Sequence, residues 1–584
     1  MAYGNQGAGA PFIAQRSRLF GLFFAVPMVL VFVSPPPAAA QNSRTAALPR
    51  PDTAITRDSL PTILAAEDAF RYRRIFALQR DGSWGDADHE ISLLKDRLLM
   101  GEVLAQRYLH HGYQASYGDL SEWLRRFGDL PEASAVYALA LKHRPAGAPE
   151  PARPTDAHST LRFGELDQLV LGYTEDGEPF DERLADPFAA ASRSRLPVGP
   201  LQFRQGNARV EGRPFEFTAI QESGHGGPGW EAGLAAWRRG RYAEACQFFE
   251  RAARTAGASP GQVAAAAFWA ARSELRDHHP EQVDAWLDMA AAHPHTFYGL
   301  LARRTLGVDI YFNFDFGPLS EAHGKLLREV LPGRRALALI QVGEIDAAEA
   351  VLRQMAAHGD PPALRAVEAL ADRAGMPALS FQLAALLARS DDSARDRAMF
   401  PIPRWTPLGG FKVDRALLFA LMRQESQFQL GLRSRSGAIG PMQIMPATAR
   451  SMAKRLGLSE TQRQDLAAPA VNLALAQEYI AQLEADDHIG NNLLVLAAAY
   501  NSGPGPVHQW LASDAVRRDP LLFLESIPNR ETRGFAERVL TNYWVYRLRL
   551  GQPTPDLDTL AAGQWPTYTA MDGSGGIGAS YAKN

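Results

Sequence analysis

The residues best placed to do chemistry lie between Asp414 and Ala449, around a single carboxylate, Glu425. Leu417, Leu421 and Glu425 recur four apart, so a helix starting after Asp414, a residue able to cap it, puts all three on one face. An ionised Glu at the end of a buried apolar stripe is poorly solvated. That favours the neutral acid and suits the group to donate a proton near neutral pH. Ser434, Ser436, Gly437, Gly440 and Pro441 then read as a turn-rich loop, and Met442-Gln443-Ile444-Met445 leads to Pro446 at the start of another helix. No Asp or Glu occurs between Glu425 and Glu460. Most glycosidases flank the scissile bond with two carboxylates, so a catalytic Glu425 either recruits a distant partner or works alone. On these residues alone, a buried Glu held by local hydrogen bonds at a helix end is the favoured reading.

Glu425-Ser426-x-Phe428 followed by Gly437-Ala438-x-Gly440-x-Met442-Gln443-Ile444-Met445-Pro446-x-Thr448-Ala449 resembles the catalytic signature of the soluble lytic transglycosylases. Two further pieces follow in that family's order. They are Ala499-Tyr500-Asn501-Ser502-Gly503-Pro504-Gly505 and Glu525-Ser526-Ile527-Pro528-Asn529-Arg530-Glu531-Thr532-Arg533-Gly534-Phe535. The resemblance implies a goose-lysozyme-like domain that cleaves peptidoglycan glycan strands, with Glu425 as sole acid and base. It aligns Ser434, Met442, Gln443, Met445 and Asn501 with residues on the sugar, Tyr500 with a tyrosine that hydrogen-bonds the catalytic carboxyl, and Glu531 with a substrate-binding glutamate. It also implies a reaction without water, in which the substrate's acetamido group stands in for a second carboxylate and the product is a 1,6-anhydro sugar. Pro441 and Ser502 depart from the family's usual Leu and Ala.

The elements that must position these groups read as helices throughout. Ala, Leu, Arg and Glu dominate from about 60 to 400, with little sign of strands. Trp230-x-x-Gly233, Gly240-Arg241-Tyr242 and Phe248-Phe249-x-x-Ala252 resemble a tetratricopeptide-like hairpin. Ala264 to Arg272 with Val283 to Ala291, and Arg335 to Met355 turning at Gly343, look like further copies. Such units stack as an α-solenoid because each hairpin buries its apolar face only against a neighbour. Leu60-Pro61, Tyr72-Arg73, Trp84, Arg107-Tyr108-Leu109, Trp123-Leu124 and Thr296-Phe297-Tyr298-Gly299 look like the amino-terminal helices of the same family, which close into a ring or horseshoe. The expected fold is therefore all-α, a superhelical solenoid followed by a lysozyme-like domain.

The expected division is a signal peptide at 1–40, a helical domain at 41–400 with a linker-rich stretch at 143–227, a catalytic domain at 401–550 and a flexible tail at 551–584. Arg16 and Arg18, the apolar run Leu19–Val33 and Ala38-Ala39-Ala40 carry the signal-peptide reading and predict a periplasmic protein with no membrane segment after cleavage. With one cysteine, Cys246, no internal disulfide can form, and helix packing must supply the stability. A net charge of −3 gives no reason to expect nucleic acid. Residues 401–550, with 17 Lys and Arg against 13 Asp and Glu, are basic instead, which suits an anionic polymer but is explained equally well by a solvated surface bias. The expected partners are glycan strands and cell-wall synthesis proteins. No cofactor is expected and no metal motif stands out, His293-Pro294-His295 reading as a turn. Gly573-x-Gly575-x-x-Gly578 has the spacing of a dinucleotide fingerprint but no preceding strand, so it reads as tail. Two alternatives stay open: a water-using muramidase that recruits Glu478 or Glu525, and a solenoid adaptor that only binds glycan.

Overall fold

Serine, threonine and aspartate before helical runs, and proline at their first positions, punctuate this chain into helices. In the computed structural model Ser116, Thr296, Ser320 and Asp360 each accept a backbone N–H three residues on. Ser259 and Gln262 form a reciprocal capping box ahead of Pro260–Arg276. The structure describes residues 60–155, 228–315, 319–387, 396–459, 465–512 and 517–572. All belong to one unit, Arg50–Asn584. The signal-peptide expectation and most of 143–227 lie outside the described residues. Among the described residues the fold is all-α, with β pairing limited to isolated bridges.

The expected hairpins form where the sequence places them. Pro228–Arg238 and Tyr242–Ala253 turn at Gly240, whose φ is +71°. Between these helices a Cβ on Gly233 would sit 2.6 Å from the Phe249 ring, so only glycine permits the approach. Pro260–Arg276 pairs with Val283–Ala291, and Leu331–Val342 with Ile345–Ala357 across left-handed Gly343. The hydrophobic cores do not follow chain order. Helices within 64–103 share one core with helices within 327–387, where Gln341 accepts from the N–H groups of Ile63 and Leu64 and donates to the Leu64 carbonyl.

Helices between 228 and 305 share a continuous core with residues 413–568. Phe297 stacks on Trp544 at 5.4 Å, and Tyr298 donates to Glu525 while accepting from Trp269 Nε1. Arg272 lies 4.4 Å over the Trp269 ring and pairs with Asp519 at 2.6 Å. The hairpins therefore supply part of the catalytic region's own interior.

Two expectations need correction. The chain beyond Gly551 is packed as far as Asp572, because Pro555–Ala561 is a helix that buries Leu557 and Leu560, and Trp544 Nε1 donates to Asp556 at 2.5 Å. The glycine-rich 573–578 lies outside the described residues. Asp414 does precede helix Arg415–Ser426, yet its side chain caps nothing there. Its buried carboxylate accepts from the N–H groups of Met571 and Asp572 and pairs with Arg547 at 3.2 Å, fastening this C-terminal segment to the start of the Glu425 helix.

Candidate active site

Helix Arg415–Ser426 carries Glu425 on its last turn, and the chain then leaves the helix through a cluster of strained residues. Gln427 and Phe428 have φ of +49° and +68°, and Gln443, in the facing loop, has +46°. Only one other described non-glycine residue, His278, has a positive φ. Each such conformation costs on the order of 1–3 kcal/mol and persists only where its surroundings over-determine it.

Those surroundings are hydrogen bonds. Ser426, fully buried, donates to the Pro441 carbonyl at 2.7 Å, clamping the end of the Glu425 helix to the loop. Asn472, fully buried on helix Pro469–Glu484, accepts from Met442 N at 2.8 Å and donates to the carbonyls of Ile439 and Leu466 at 3.0 and 2.9 Å. Gly440 is required beside it. At its φ of +81° a Cβ would meet Asn472 Nδ2 at 2.6 Å and the Leu466 carbonyl at 2.8 Å. Pro441, the departure from the family pattern, lacks an N–H, but the loop's bonds run through its carbonyl and the N–H of Met442.

The Glu425 carboxyl sits inside this frame, partly open to solvent, with no hydrogen-bonding or ion-pair partner among the described residues. Burial, and secondarily the negative charge of Glu531, pushes it up to about 8, so at neutral pH it is mostly the protonated acid. The alternative of a Glu held by local hydrogen bonds finds no support in this geometry.

The other expected site residues divide. Ser434 accepts from Ala438 N at 2.9 Å, and Gln443 Nε2 donates to the carbonyls of Gly440 and Leu432, leaving its carbonyl oxygen for an outside donor. Met445 is 41% exposed and offers an apolar surface, whereas the Met442 side chain is fully buried and belongs to the core. Met442 contributes its backbone instead. Its carbonyl accepts from the Tyr500 hydroxyl at 3.0 Å. The expected bond from Tyr500 to the catalytic carboxyl is therefore not the one formed. The ring packs parallel to Phe535 and against Tyr479. Burial, then the charge of Glu425, raises the hydroxyl well above its ordinary value and keeps it a neutral donor.

Asn501 accepts at 2.6 Å from buried Thr532, which aims its amide nitrogen elsewhere. Glu531 is exposed in the first turn of helix Arg530–Arg549. Ser502, the second departure, donates back to the Ala498 carbonyl at 2.8 Å. Ser426 and Thr532 stand in the signature stretches without a role there, and Asn472 lies outside them. A buried Asn among apolar neighbours was the available signal, since it must find partners. The candidate second carboxylates are committed elsewhere. Glu478 pairs with Arg455 at 2.6 Å, and Glu525 is fully buried against Tyr298 with Arg533 Nε at 3.9 Å.

Residues 408–522 match the family model described as "Transglycosylase SLT domain". The soluble lytic murein transglycosylase of Salmonella typhimurium is 37% identical over 144 residues, 24% of this chain and 22% of the relative. That of Escherichia coli K12 is 35% identical over 158 residues, 27% of this chain and 24% of the relative. The matches thus span less than a quarter of these curated relatives' length. Among solved structures, the lytic transglycosylase Slt of Pseudomonas aeruginosa is 21% identical, covering 84% of this chain and 74% of that one with a TM-score of 0.45. The 70 kDa soluble lytic transglycosylase of E. coli is 18% identical, covering 87% and 100%, also with a TM-score of 0.45. This chain therefore carries a transglycosylase SLT domain, of the kind found in soluble lytic murein transglycosylases.

Proposed function

We propose that this protein is a peptidoglycan lytic transglycosylase acting in the periplasm, with Glu425 as its single acid and base. The observation that carries this reading is an unpartnered carboxyl held neutral on the last turn of a helix that the chain leaves through strained residues, close enough to Glu531 and Tyr500 for electrostatic influence. Protonated Glu425 donates to the glycosidic oxygen between N-acetylmuramic acid and N-acetylglucosamine. The C1–O bond breaks and the acetamido group of the muramic residue stabilises the positive charge at C1. The Glu425 carboxylate then takes the proton of the muramic C6 hydroxyl, whose oxygen closes onto C1 as a 1,6-anhydro ring. The acid is regenerated and no water is consumed.

Within the same proposal, Ser434, Gln443, Met445 and Asn501 surround the sugar beside the scissile bond, Glu531 contacts the glycan and lifts the Glu425 pKa, and Tyr500 braces the loop through the Met442 carbonyl. The basic balance of 401–550 favours strands bearing peptide carboxylates. Among the described residues no helix is long and apolar enough to cross a membrane.

A water-using muramidase is the second reading. The engagement of Glu478 with Arg455 and of Glu525 with Tyr298 speaks against it, because neither is free to activate a water. Digestion of purified sacculi in ¹⁸O-labelled water separates the two. Anhydro products without label are expected from wild type, and almost none from Glu425→Gln, which should still bind glycan strands. Labelled reducing ends from wild type, or substantial activity in Glu425→Gln, would reject the assignment.

A further inference from the structure

The loop 485–492 joins helix Pro469–Glu484 to helix Leu493–Ser502, and the short helix Pro504–Trp510 begins immediately after the second. This arrangement brings Asp486 and His488 of the loop against His508, 20 residues on in sequence. The donor atoms, one carboxylate oxygen and one nitrogen from each imidazole, all lie within 4.8 Å of one another. Asp486 Oδ1 is 2.9 Å from His508 Nε2 and 3.8 Å from His488 Nδ1, and the two imidazole rings lie 4.6 Å apart, tilted by 38°.

The carboxylate is held for this geometry. Asp486 Oδ1 accepts from the backbone N–H of His488 at 3.0 Å. All three residues retain solvent access: His488 is exposed and the other two are half-buried, so an ion can enter without unfolding.

We propose that Asp486, His488 and His508 form a binding site for a divalent transition metal of the zinc class. Two imidazoles and one carboxylate are borderline donors that suit zinc, whereas calcium and magnesium ask for oxygen alone. Around a tetrahedral zinc with bonds of about 2.0–2.1 Å, neighbouring donors stand roughly 3.3 Å apart. The present spacings therefore need sub-ångström adjustments for the pair and a small swing of exposed His488. Zinc would replace the hydrogen bond between Asp486 and His508, and the three protein ligands leave one coordination position open to water. Because His508 sits seven residues beyond Asn501, a bound ion would fasten the segment that follows Tyr500 and Asn501 to the preceding loop. The site is independent of the proposed reaction and of Glu425.

The test is zinc binding by the untagged full chain, titrated with zinc chloride against a chromophoric chelator, with melting temperature as a second readout. One equivalent is expected, weakened at least tenfold in His488→Ala and in His508→Ala, with a zinc-dependent rise in melting temperature that both variants lose. His488→Ala leaves the Asp486–His508 pair intact, so its loss of binding is not a folding effect. His358→Ala, on an exposed helix end, controls for surface histidines and should bind as wild type does. Equal affinity of wild type and His488→Ala, or an equal loss in the His358→Ala control, would overturn the site.

Discussion

The protonation state of Glu425 is the most direct physical consequence of the site, and Glu425→Gln is the perturbation that exposes it. With the carboxyl pushed up to about 8, about nine-tenths of the molecules carry the proton at pH 7, against about 0.3% for an ordinary glutamic acid at 4.5. The folded state binds this proton more tightly than the unfolded chain does. The contribution is therefore fully present below pH 4.5 and is lost as pH rises through 8. A shift of this size corresponds to about 5 kcal/mol at 1.36 kcal/mol per unit, and the carboxyl's partial access to water reduces the expected effect to about 2–3 kcal/mol. Glutamine keeps the shape and cannot ionise, so Glu425→Gln should gain on wild type between pH 5 and 9, and the gap in melting temperature should widen with pH. Difference infrared spectra, wild type minus Glu425→Gln, should show a carboxylic-acid carbonyl band at pH 6.5 that disappears with a midpoint near 8. In the same range turnover should fall on the alkaline side. Glu531→Gln, by removing a like charge, should move that alkaline limb to lower pH by a fraction of a unit. A midpoint at or below 5, with a melting gap that does not change with pH, would refute the reasoning.

Asn472→Ala should cost about 2–4 kcal/mol, because it strands the buried Met442 N–H and Ile439 carbonyl and the part-buried Leu466 carbonyl, and it should lower kcat more than it raises KM by loosening the loop that faces Glu425. Gly440→Ala should be at least as damaging, with contacts of 2.6 and 2.8 Å at a φ of +81°; thermal melting and turnover on sacculi check both variants. Tyr500→Phe should retain far more activity than Glu425→Gln, since its hydroxyl braces a backbone carbonyl and leaves the acid in place; turnover as low as that of Glu425→Gln would contradict this placement.

What was legible in the sequence was local. Glycines at Gly240 and Gly343, prolines at helix starts and the serine caps mark the hairpins, because each acts on backbone a few residues away. The Glu425 helix, the turn-rich loop and the Pro446 helix were readable for the same reason. What escaped was decided by distant partners. Asp414 looks like a cap, but its carboxylate is claimed by backbone 157 residues downstream. Tyr500 looks aimed at a carboxyl, but the buried Met442 carbonyl, 58 residues upstream, offers the bond. Asp486, His488 and His508 have no motif spacing, because an apolar ten-residue helix intervenes and only its folding back joins them. The shared core of the 228–305 hairpins and the catalytic region was equally invisible, since solenoid periodicity says which face is apolar and not what covers it.

The strain around Glu425 bears on why one carboxylate should suffice. Gln427, Phe428 and Gln443 together hold on the order of 3–9 kcal/mol in unfavourable backbone, which a helix end with no task beyond packing has no reason to carry. The bonds that offset this cost, from Ser426 and Asn472, fix the loop opposite the carboxyl while leaving the carboxyl itself unbonded. Such a frame aims an acid at something outside the protein. Glu478 and Glu525, the carboxylates a water-using reaction would recruit, are tied to Arg455, or to Tyr298 and Arg533. On the proposed reading Glu425 recovers the proton it gives away, and a hydroxyl of the same bound sugar returns it.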